Sequence, residues 1–454
     1  MKDSYDIIIA GAGPAGSTAA LLLARAGFSV CVLEKDHHPR FHIGESILPR
    51  TSPLLRELGL EEALLKLPHV PKFGAEFGFG NDHVTRRFSF TDGLLPGFPI
   101  FNIERSIFDK LLLDHARAAG AEVYEGTPVK AIRTLTEGAV EIETADRSIK
   151  ARLLLDASGH GTLVGRHLNI RHNFDDPNLQ KVAYFQHFEH VERPTGAESG
   201  HPAIIMCDEG WFWLIGINPT KTSVGFVTRP SFVRTLDIPP KQMLTWAVSR
   251  CPVVRHRMRD ATGVTENHIL SDFSYRCAPY AGPGYFMVGD AACFLDPIFS
   301  TGVTLAMMGA RDAAAQATRL LRAEVSPRVA QREYHRFVQD ATSPFWRLIR
   351  GYYRHSFREL FVSGGVPLQM PGAIISILAG QVFPRAAWSL RWRHRAFDAC
   401  VWLQQYFALA PRREPFRLMK EAPVTIPYMT AVPVAITPDP LREPTPLHPE
   451  SVPA

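Results

Sequence analysis

The chain has 454 residues, of which 46% are hydrophobic and 21% are charged. This globular composition excludes a wholly disordered, collagen-like or coiled-coil protein, and the length suggests about three domain-sized units. The net charge of +5 at pH 7 is too small to indicate a nucleic-acid-binding protein.

Several features predict a cytoplasmic protein. The first residues lack the basic and apolar segments of a signal peptide. No stretch approaches the ~20 apolar residues of a membrane span, so we expect none. The six cysteines show no C-x-x-C spacing and the histidines show no ligand spacing, so we expect neither disulfides nor a metal site.

The N-terminal segment has the pattern of a dinucleotide-binding unit. A strand, a glycine-rich turn, a helix and a second strand follow one another: Tyr5–Ala10, Gly11 to Gly16, Ser17–Ala26 and Ser29–Leu33. The alternation of short strands and a helix predicts parallel pairing in an α/β domain.

Each glycine of this turn has a physical role. In the pattern G-x-G-x-x-G, Gly11 permits a tight turn, Gly13 lets the backbone approach a pyrophosphate, and Gly16 lets the helix pack on the strand. The N–H groups at the start of the helix attract the phosphates. Glu34 ends the second strand, where a carboxylate accepts hydrogen bonds from a ribose. The sequence therefore predicts a dinucleotide cofactor.

Further elements predict a mixed α/β and α+β fold. The predicted elements that follow are a helix (Ile103–Ala119), four strands (Ala121–Tyr124, Val129–Arg133, Val140–Thr144 and Ala151–Asp156), a strand-rich stretch (Val182–Val227), a strand (Tyr285–Val288), a helix (Val303–Leu321) and a helical region (Ala341–Leu409). The β-branched and aromatic residues of the strand-rich stretch predict a second, mostly antiparallel sheet.

These elements suggest a division of the chain into interleaved parts. We assign residues 1–70, 100–180 and 270–340 to a discontinuous, Rossmann-like cofactor domain, and 71–99 and 181–269 to a β-sheet substrate domain. Residues 341–420 form a C-terminal helical region. The last part, 421–454, holds nine prolines and is predicted to be a disordered tail.

Later segments favour FAD over NAD as the dinucleotide. Gly289-Asp290 after a buried strand resembles the second fingerprint of FAD-dependent oxidoreductases, and Asp156 and Arg105 stand in segments that resemble further flavin-contacting positions. The same resemblance implies that other residues contact the cofactor: Ala15, Arg40, Glu45, Ser46 and Pro297. No second glycine fingerprint for a nicotinamide cofactor is visible.

A tryptophan motif narrows the flavoprotein class. Trp211, Trp213 and Ile215 resemble the W-x-W-x-I-P motif of the flavin-dependent halogenases, but Gly216 stands where that family has proline. A spacing of two also fits two rings that simply pack on one face of a strand. Because Gly216 departs from the motif at the proline position, an aromatic hydroxylase stays open as an alternative function.

A second motif lies between two predicted elements. The stretch from Phe294 to Gly302 matches the family's F-x-x-P-x-x-S-x-G pattern, with Pro297 and Ser300 at fixed positions. A turn that opens a helix leaves backbone N–H groups free to bind an anion. The resemblance implies that Thr301 and Gly302 bind the halide and that Ser300 belongs to the catalytic set.

Lys72 is the third point of resemblance. A single lysine is usually a surface residue, but Lys72 lies between Pro71 and Phe73 and matches the active-site lysine of the halogenases. A buried lysine with a lowered pKa is a nucleophile or a hydrogen-bond donor. An aromatic hydroxylase has no need of it.

The resemblance to the phenol and pyrrole branch of this family implies a reaction. A separate flavin reductase supplies reduced FAD, O2 forms a flavin hydroperoxide, and chloride or bromide takes its distal oxygen as hypohalous acid. The acid passes Trp211 and Trp213, which with Ser300 and Lys72 form the predicted catalytic set, and reaches Lys72. The product is a halogenated phenol or pyrrole, either free or tethered to an acyl or peptidyl carrier protein.

Two alternatives stay open from the sequence. One is a FAD-dependent aromatic monooxygenase, and the other is a non-catalytic flavin-binding scaffold. Residues 341–421 carry twelve Lys or Arg against four Asp or Glu, a local charge of +8. This excess predicts either a solvated helical face or a surface that docks an acidic partner, with Arg391, Arg393 and Arg395 as candidates.

Overall fold

The computed structural model describes residues 1–81, 85–95, 97–271, 274–363 and 367–424, so nearly all of the predicted proline-rich tail lies outside the described residues. The helices are α1 (Pro14–Arg25), α2 (Thr51–Glu57), α3 (Glu61–Leu65), α4 (Arg105–Ala118), α5 (Leu163–His167), α6 (Pro230–Val233), α7 (Met243–Arg250), α8 (Pro252–Arg257), α9 (Gly302–Leu321), α10 (Pro327–Tyr352), α11 (His355–Ser363), α12 (Met370–Leu378) and α13 (Trp388–Leu403).

The strands are β1 (Ser4–Ala10), β2 (Val30–Leu33), β3 (His69–Lys72), β4 (Gly74–Phe79), β5 (Thr85–Ser89), β6 (Ile100–Ile103), β7 (Glu122–Tyr124), β8 (Ala131–Thr136), β9 (Ala139–Glu143), β10 (Ser148–Asp156), β11 (Arg171–Asn173), β12 (Val182–Glu189), β13 (Ala203–Met206), β14 (Gly210–Gly216), β15 (Lys221–Thr228), β16 (Thr262–Gly263), β17 (His268–Ser271), β18 (Tyr275–Cys277), β19 (Ala281–Gly282), β20 (Tyr285–Met287) and β21 (Cys293–Phe294).

The first sheet carries the glycine-rich turn. Its order is β19-β20-β10-β1-β2-β7, and all pairs from β20 to β7 are parallel. Helices α1 and α9 pack against each other on this sheet. The run Ile7 to Ile9 is fully buried because both faces of a parallel sheet are covered. The predicted α/β unit is confirmed, with α1 beginning at Pro14 rather than Ser17.

The second sheet is mostly antiparallel, as predicted, with the order β16-β12-β15-β14-β13-β4-β5. One pair, β13 with β4, is parallel. Side chains alternate along β14, so Phe212 and Leu214 enter a core with α7 and α8, while Trp211 and Trp213 face the first sheet. This alternation places the tryptophan motif between the two sheets.

Two predicted boundaries change. The predicted helix from Ile103 begins at Arg105, because Ile100–Ile103 pairs with β3 as a strand. Helix α10 runs from Pro327 to Tyr352, so it continues across residue 341, where we placed the start of the helical region. The assignment of these elements to separate domains stays a prediction. No helix of the described residues is long and apolar enough to cross a bilayer.

Candidate active site

A cavity of about 800 Å³ lies between the two sheets. This volume is typical of a site for a small molecule or cofactor. Many of the predicted site residues line it: Gly11, Gly13, Ala15, Glu34, Arg40, Glu45, Ser46, Arg105, Trp211, Trp213, Asp290, Pro297, Ser300, Thr301 and Gly302. Four do not line it: Gly16, Lys72, Asp156 and Gly289.

The glycine-rich turn has the geometry that the sequence predicted. Gly11 has a φ of +102°, and a Cβ there would lie 2.4 Å from the carbonyl oxygen of Ala157. A Cβ at Gly16 would lie 1.9 Å from the Gly11 oxygen. At Gly13, by contrast, the nearest atom to a Cβ would be Arg40 Nη2 at 3.7 Å. Gly13 therefore leaves open space beside the helix N-terminus, as an approaching phosphate requires.

Charged side chains fix the end of the cavity next to this turn. Glu34 Oε2 accepts a hydrogen bond of 2.7 Å from the Ala12 N–H. Arg40 Nη2 lies 3.8 Å from the same oxygen, and Arg40 Nη1 lies 3.9 Å from Asp109 Oδ2. The Nε of Arg40 is buried without a hydrogen-bond partner among the described residues, and Asp36 Oδ2 lies 4.0 Å from it. Arg40 and Glu34 therefore place one positive and one negative charge beside Gly13, where a ligand can contact both.

Arg105 holds the cavity wall. It binds Asp109 through two hydrogen bonds, Nε to Oδ1 at 2.7 Å and Nη2 to Oδ2 at 2.9 Å. Its Nη1 donates to the Ile43 carbonyl at 2.7 Å. This bidentate pair is a rigid geometry for an arginine. Arg105 therefore fixes the segment that leads to Glu45 and Ser46.

Asp156 organises a turn instead of facing the cavity. Its Oδ1 accepts from the Ser158 N–H at 3.0 Å, and its Oδ2 accepts from the Val164 N–H at 2.7 Å. Residues 157–161 line the cavity in its place. Asp290 does line the cavity, and burial raises the pKa of its carboxyl, opposed by His160 and Arg105.

Glu45 has a partner that the sequence did not reveal. Its Oε1 lies 2.6 Å from His187 Nε2, and both side chains are only 1% exposed. The two atoms lie within ion-pair distance, although their alignment is not that of a hydrogen bond. His187 comes from β12 of the second sheet, so this pair joins that sheet to the segment between β2 and α2 beside the cavity.

The predicted halide turn lies at the start of α9. Ser300 adopts a left-handed φ of +55°, and α9 begins at Gly302. A Cβ at Gly302 would meet no heavy atom within 4 Å. The first N–H groups of a helix have no partner within it, so Thr301 and Gly302 present donors to the cavity. This arrangement can bind an anion at the end of the helix.

The two tryptophans of β14 form one wall of the cavity. Their ring centroids are 5.9 Å apart, and the side chains are 1% and 4% exposed for Trp211 and Trp213. Trp213 Nε1 donates to Ser223 Oγ at 3.1 Å. A Cβ at Gly225 would lie 2.2 Å from the Trp213 ring, so only glycine leaves space for the ring there.

The neighbouring side chains explain why glycine stands at position 216, where the halogenase motif has proline. A Cβ at Gly216 would lie 2.2 Å from Arg193 Nη1. That Nη1 donates to the Asn218 carbonyl at 3.0 Å. Arg193 therefore covers the end of β14 in the space that a side chain at position 216 would take.

A hydrogen-bond chain connects the tryptophan wall to the halide turn. Trp211 Nε1 donates to Tyr353 Oη at 3.2 Å, and Tyr353 donates to Asp296 Oδ2 at 2.7 Å. Asp296 Oδ1 accepts from the Ile298 N–H at 3.0 Å, which caps the turn that leads to Ser300. No sequence motif predicted this role for Tyr353, and Asp296 stands at a variable position of the second motif.

A second buried lysine belongs to this network. The Nζ of Lys181 lies 3.9 Å from the centroid of the Tyr353 ring, a cation–π distance. Burial lowers the pKa of Lys181 to about 8, although the Asp296 charge opposes the shift. Lys181 therefore supplies a positive charge behind the tryptophan wall, which no sequence motif indicated.

Lys72 lies beside the cavity and outside its lining. The side chain is 2% exposed, and Nζ donates to the Ile47 carbonyl at 2.9 Å. The Phe90 ring centroid is 5.4 Å from Nζ. Burial lowers the pKa of Lys72 to about 7. Ile47 directly follows Ser46, which lines the cavity, so Lys72 is held one residue away from the cavity wall.

Comparison with known proteins agrees with this geometry. The family model described as the FAD binding domain matches residues 4–336. The chain is 32% identical over 381 residues to the 1H-pyrrole-2-carbonyl-[peptidyl-carrier protein] chlorinase of Pseudomonas fluorescens, which is 77% of this chain and 84% of that enzyme. This chain belongs to the flavin-dependent halogenases.

Other members of the family extend the likeness. The corresponding brominase of Pseudoalteromonas luteoviolacea is 32% identical over 310 residues, which cover 67% of this chain and 75% of that enzyme. The structure of the flavin-dependent brominase Bmp2 is similar with a TM-score of 0.77 and 27% identity, over 87% of this chain and 98% of that one. The halogenase is therefore an enzyme that uses FAD to halogenate aromatic substrates.

The cavity of this halogenase fits FAD. The open space at Gly13 lies next to the α1 N-terminus, where a pyrophosphate binds. Glu34 stands at the end of β2, where a ribose binds. The remaining length of the cavity reaches Pro297 and Thr301, which fits the flavin end of the cofactor.

Proposed function

We propose that this halogenase acts on an electron-rich aromatic acyl group, a pyrrole or a phenol, that is tethered to an acyl or peptidyl carrier protein. The names of two relatives, a chlorinase and a brominase of pyrrolyl groups on a carrier protein, support the tethered substrate. The single observation that carries the site is the position of Lys72, buried and one residue behind the cavity wall.

The halide is held at the start of α9. We assign its binding to the N–H groups of Thr301 and Gly302, because the helix dipole and the open space at Gly302 both favour an anion there. When bound, reduced FAD would give two electrons to O2, and the halide would give the other two as it becomes hypohalous acid while the second oxygen leaves as water. Ser300, in its left-handed conformation, turns the chain so that these donors face the cavity.

The tryptophan wall keeps the substrate away from the cofactor. Trp211 and Trp213 are almost fully buried, and both rings are fixed by hydrogen bonds at Nε1. A rigid wall of this kind passes a small oxidant and stops an aromatic ring. Halogenation therefore takes place on the Lys72 side, where direct hydroxylation by the cofactor cannot compete.

Lys72 delivers the halogen in one of two protonation states. With a pKa of about 7, roughly half of the side chains are neutral amines at neutral pH. The ammonium donates a hydrogen bond to hypohalous acid and makes its halogen more electrophilic. The neutral amine displaces hydroxide from the acid and forms an N–halogen bond, and the proton that the nitrogen loses converts the hydroxide to water. In both routes the ring gains the halogen and releases a proton.

Two further proposals concern the setting of the enzyme. A separate flavin reductase supplies reduced FAD, as the resemblance to the flavin-dependent halogenases implies. We place the enzyme in the cytoplasm, because all six cysteines are free thiols, as a reducing compartment requires.

Halide dependence tests the proposed function. Purified enzyme is incubated with FAD, a flavin reductase, chloride or bromide, and pyrrolyl and phenolic acyl groups, each offered on a holo-carrier protein and as a small thioester. Mass spectrometry then measures the product. We expect halogenated product that requires halide and forms faster from the carrier-bound form. Hydroxylated product that forms equally well without halide would overturn the proposal.

A further inference from the structure

A second cavity, of about 630 Å³, lies outside the FAD site between α10 and α13. Four of its lining residues are arginines, namely Arg276, Arg347, Arg350 and Arg354. Phe174, Tyr280 and Trp346 also line it, with the Phe174 and Trp346 ring centroids 4.5 Å apart. We call this cavity the arginine groove. Its combination of guanidinium and aromatic groups is the chemistry that binds an organic phosphate.

The charges in the arginine groove are not balanced from within. Arg347 pairs with Asp398, with Nη1 and Oδ2 3.0 Å apart. Across the described residues, no carboxylate forms a salt bridge with Arg276, Arg350 or Arg354. Arg347, Arg350 and Arg354 follow each other at spacings of three and four residues on α10 and just beyond its end. Like charges at these spacings repel each other, so an anion in the groove stabilises the arrangement.

The groove is coupled to the active site by two elements. Gly351 and Arg354 line it, and they lie on either side in sequence of Tyr353, which accepts the hydrogen bond from Trp211. Helix α11 begins directly after Arg354 and is roughly 13 Å long. Its Phe361 packs with the Phe88 ring at a centroid distance of 6.0 Å.

The far end of α11 reaches the aromatic residues next to Lys72. Phe88 contacts Phe90 at 6.3 Å between ring centroids, and Phe90 lies below the Lys72 Nζ. The arginine groove and the reactive lysine therefore stand at the two ends of α11. A substrate on a long, flexible arm requires this layout, with an anchor at one point and the reacting ring at another.

We propose that the arginine groove binds the phosphodiester at the base of the carrier protein's pantetheine arm, with Arg350 and Arg354 as its principal contacts. This inference rests on the proposed carrier-bound substrate. Arg391, Arg393 and Arg395, the docking candidates named from the sequence, lie outside the groove, and their role in docking stays a prediction. Arg393 instead donates to the Leu368 carbonyl at 2.9 Å, so it holds its own segment.

The double variant Arg350→Ala/Arg354→Ala tests the groove against a matched control. Arg332→Ala/Arg336→Ala removes the same charge from exposed positions of the same helix outside the groove. We expect the groove variant to raise KM for the carrier-bound substrate by roughly tenfold or more, the loss typical of a charge-assisted hydrogen bond, with kcat unchanged. KM for the small thioester should not change, and the control pair should behave as the wild type.

Direct binding identifies the ligand. Calorimetry compares holo-carrier protein with apo-carrier protein, which lacks the phosphodiester arm. The wild-type enzyme should bind the apo form more weakly than the holo form. The groove variant should bind both forms weakly and equally. Equal binding of the two carriers to the wild type, or an equal KM effect in the control pair, would overturn the assignment. Halogenation of carrier-bound substrate with an unchanged KM in the groove variant refutes the groove alone. Groove-dependent carrier binding without any halogenation refutes the proposed function alone.

Discussion

Removing the reactive lysine should make this enzyme more stable. Lys72 is buried, and burial lowers its pKa from the ordinary value of 10.5 to about 7 in the folded chain. In the unfolded chain the pKa is ordinary, so between pH 7 and 10.5 the unfolded state binds more protons at this site. The contribution of Lys72 to stability therefore rises with pH across that window and is at its lowest, and constant, below pH 7.

The size of the effect follows from this shift. At pH 6 the buried charge costs on the order of 5 kcal/mol, and at pH 9 about 2 kcal/mol. Lys72→Met removes this cost but also loses the hydrogen bond to Ile47 and the contact with Phe90, together about 2 kcal/mol. The net gain is about 3 kcal/mol at pH 6 and close to zero at pH 9. For a chain of this length, ~3 kcal/mol raises the melting temperature by about 3 °C.

Differential scanning calorimetry at the two pH values measures this prediction. Lys72→Met is compared with the wild type and with Lys150→Met, a substitution at an exposed lysine of β10 that should change neither melting temperature. The melting temperature of Lys72→Met should exceed that of the wild type at pH 6 and match it at pH 9. An equal difference at both pH values, or a less stable variant at pH 6, would refute a buried lysine with a lowered pKa.

Two further substitutions test the tryptophan wall. Gly225→Val places a side chain in the space of the Trp213 ring, so thermal unfolding should show a loss of stability of about 1–3 kcal/mol. A larger share of the oxidised halide should also escape as free hypohalous acid. A variant with wild-type stability would contradict the packing. Tyr353→Phe removes the hydrogen bonds to Trp211 and Asp296, so kinetics with varied chloride should show a higher KM for the halide. The affinity for FAD, measured by titration, should not change. A halide KM equal to that of the wild type would show that this chain of hydrogen bonds does not support the halide turn.

The parts of the site that depend on local chain geometry were predictable from the sequence. The turn with Gly11, Gly13 and Gly16 needs one strand, one helix and the freedom of glycine, all of which lie within a few residues of each other. The direction of Trp211 and Trp213 follows from the period of two in a strand. The halide turn is likewise a local structure that opens α9.

The remaining parts depend on distant pairing and could not be read from the sequence. Lys72 is buried because β3 pairs with β6, a strand that we did not predict and whose last residue, Ile103, we placed at the start of a helix. Glu45 meets His187, and Asp296 meets Tyr353, across 142 and 57 residues respectively. Asp156 has a strand-end position suited to a cofactor contact, but nearby N–H groups take both of its oxygens.

The arginine groove could not be predicted from the sequence either, for the same reason. The excess of positive charge after residue 341 was visible in composition, but the sequence could not tell which arginines share a face. Arg347 and Arg350 lie near the end of α10 and Arg354 just beyond it, whereas Arg276 comes from β18 of a small sheet with the order β11-β18-β21. Only the packing of these elements brings their guanidinium groups together.

The central claim is that Lys72 carries the halogen from the cofactor cavity to the ring, and a product balance in Lys72→Ala tests it most directly. The assay measures FAD affinity, hydrogen peroxide release, and halogenated carrier-bound product by mass spectrometry in the same preparation. Because Lys72 does not line the cavity, the variant should bind FAD and release peroxide like the wild type, yet form no halogenated product. Halogenated product at the wild-type rate would contradict the account.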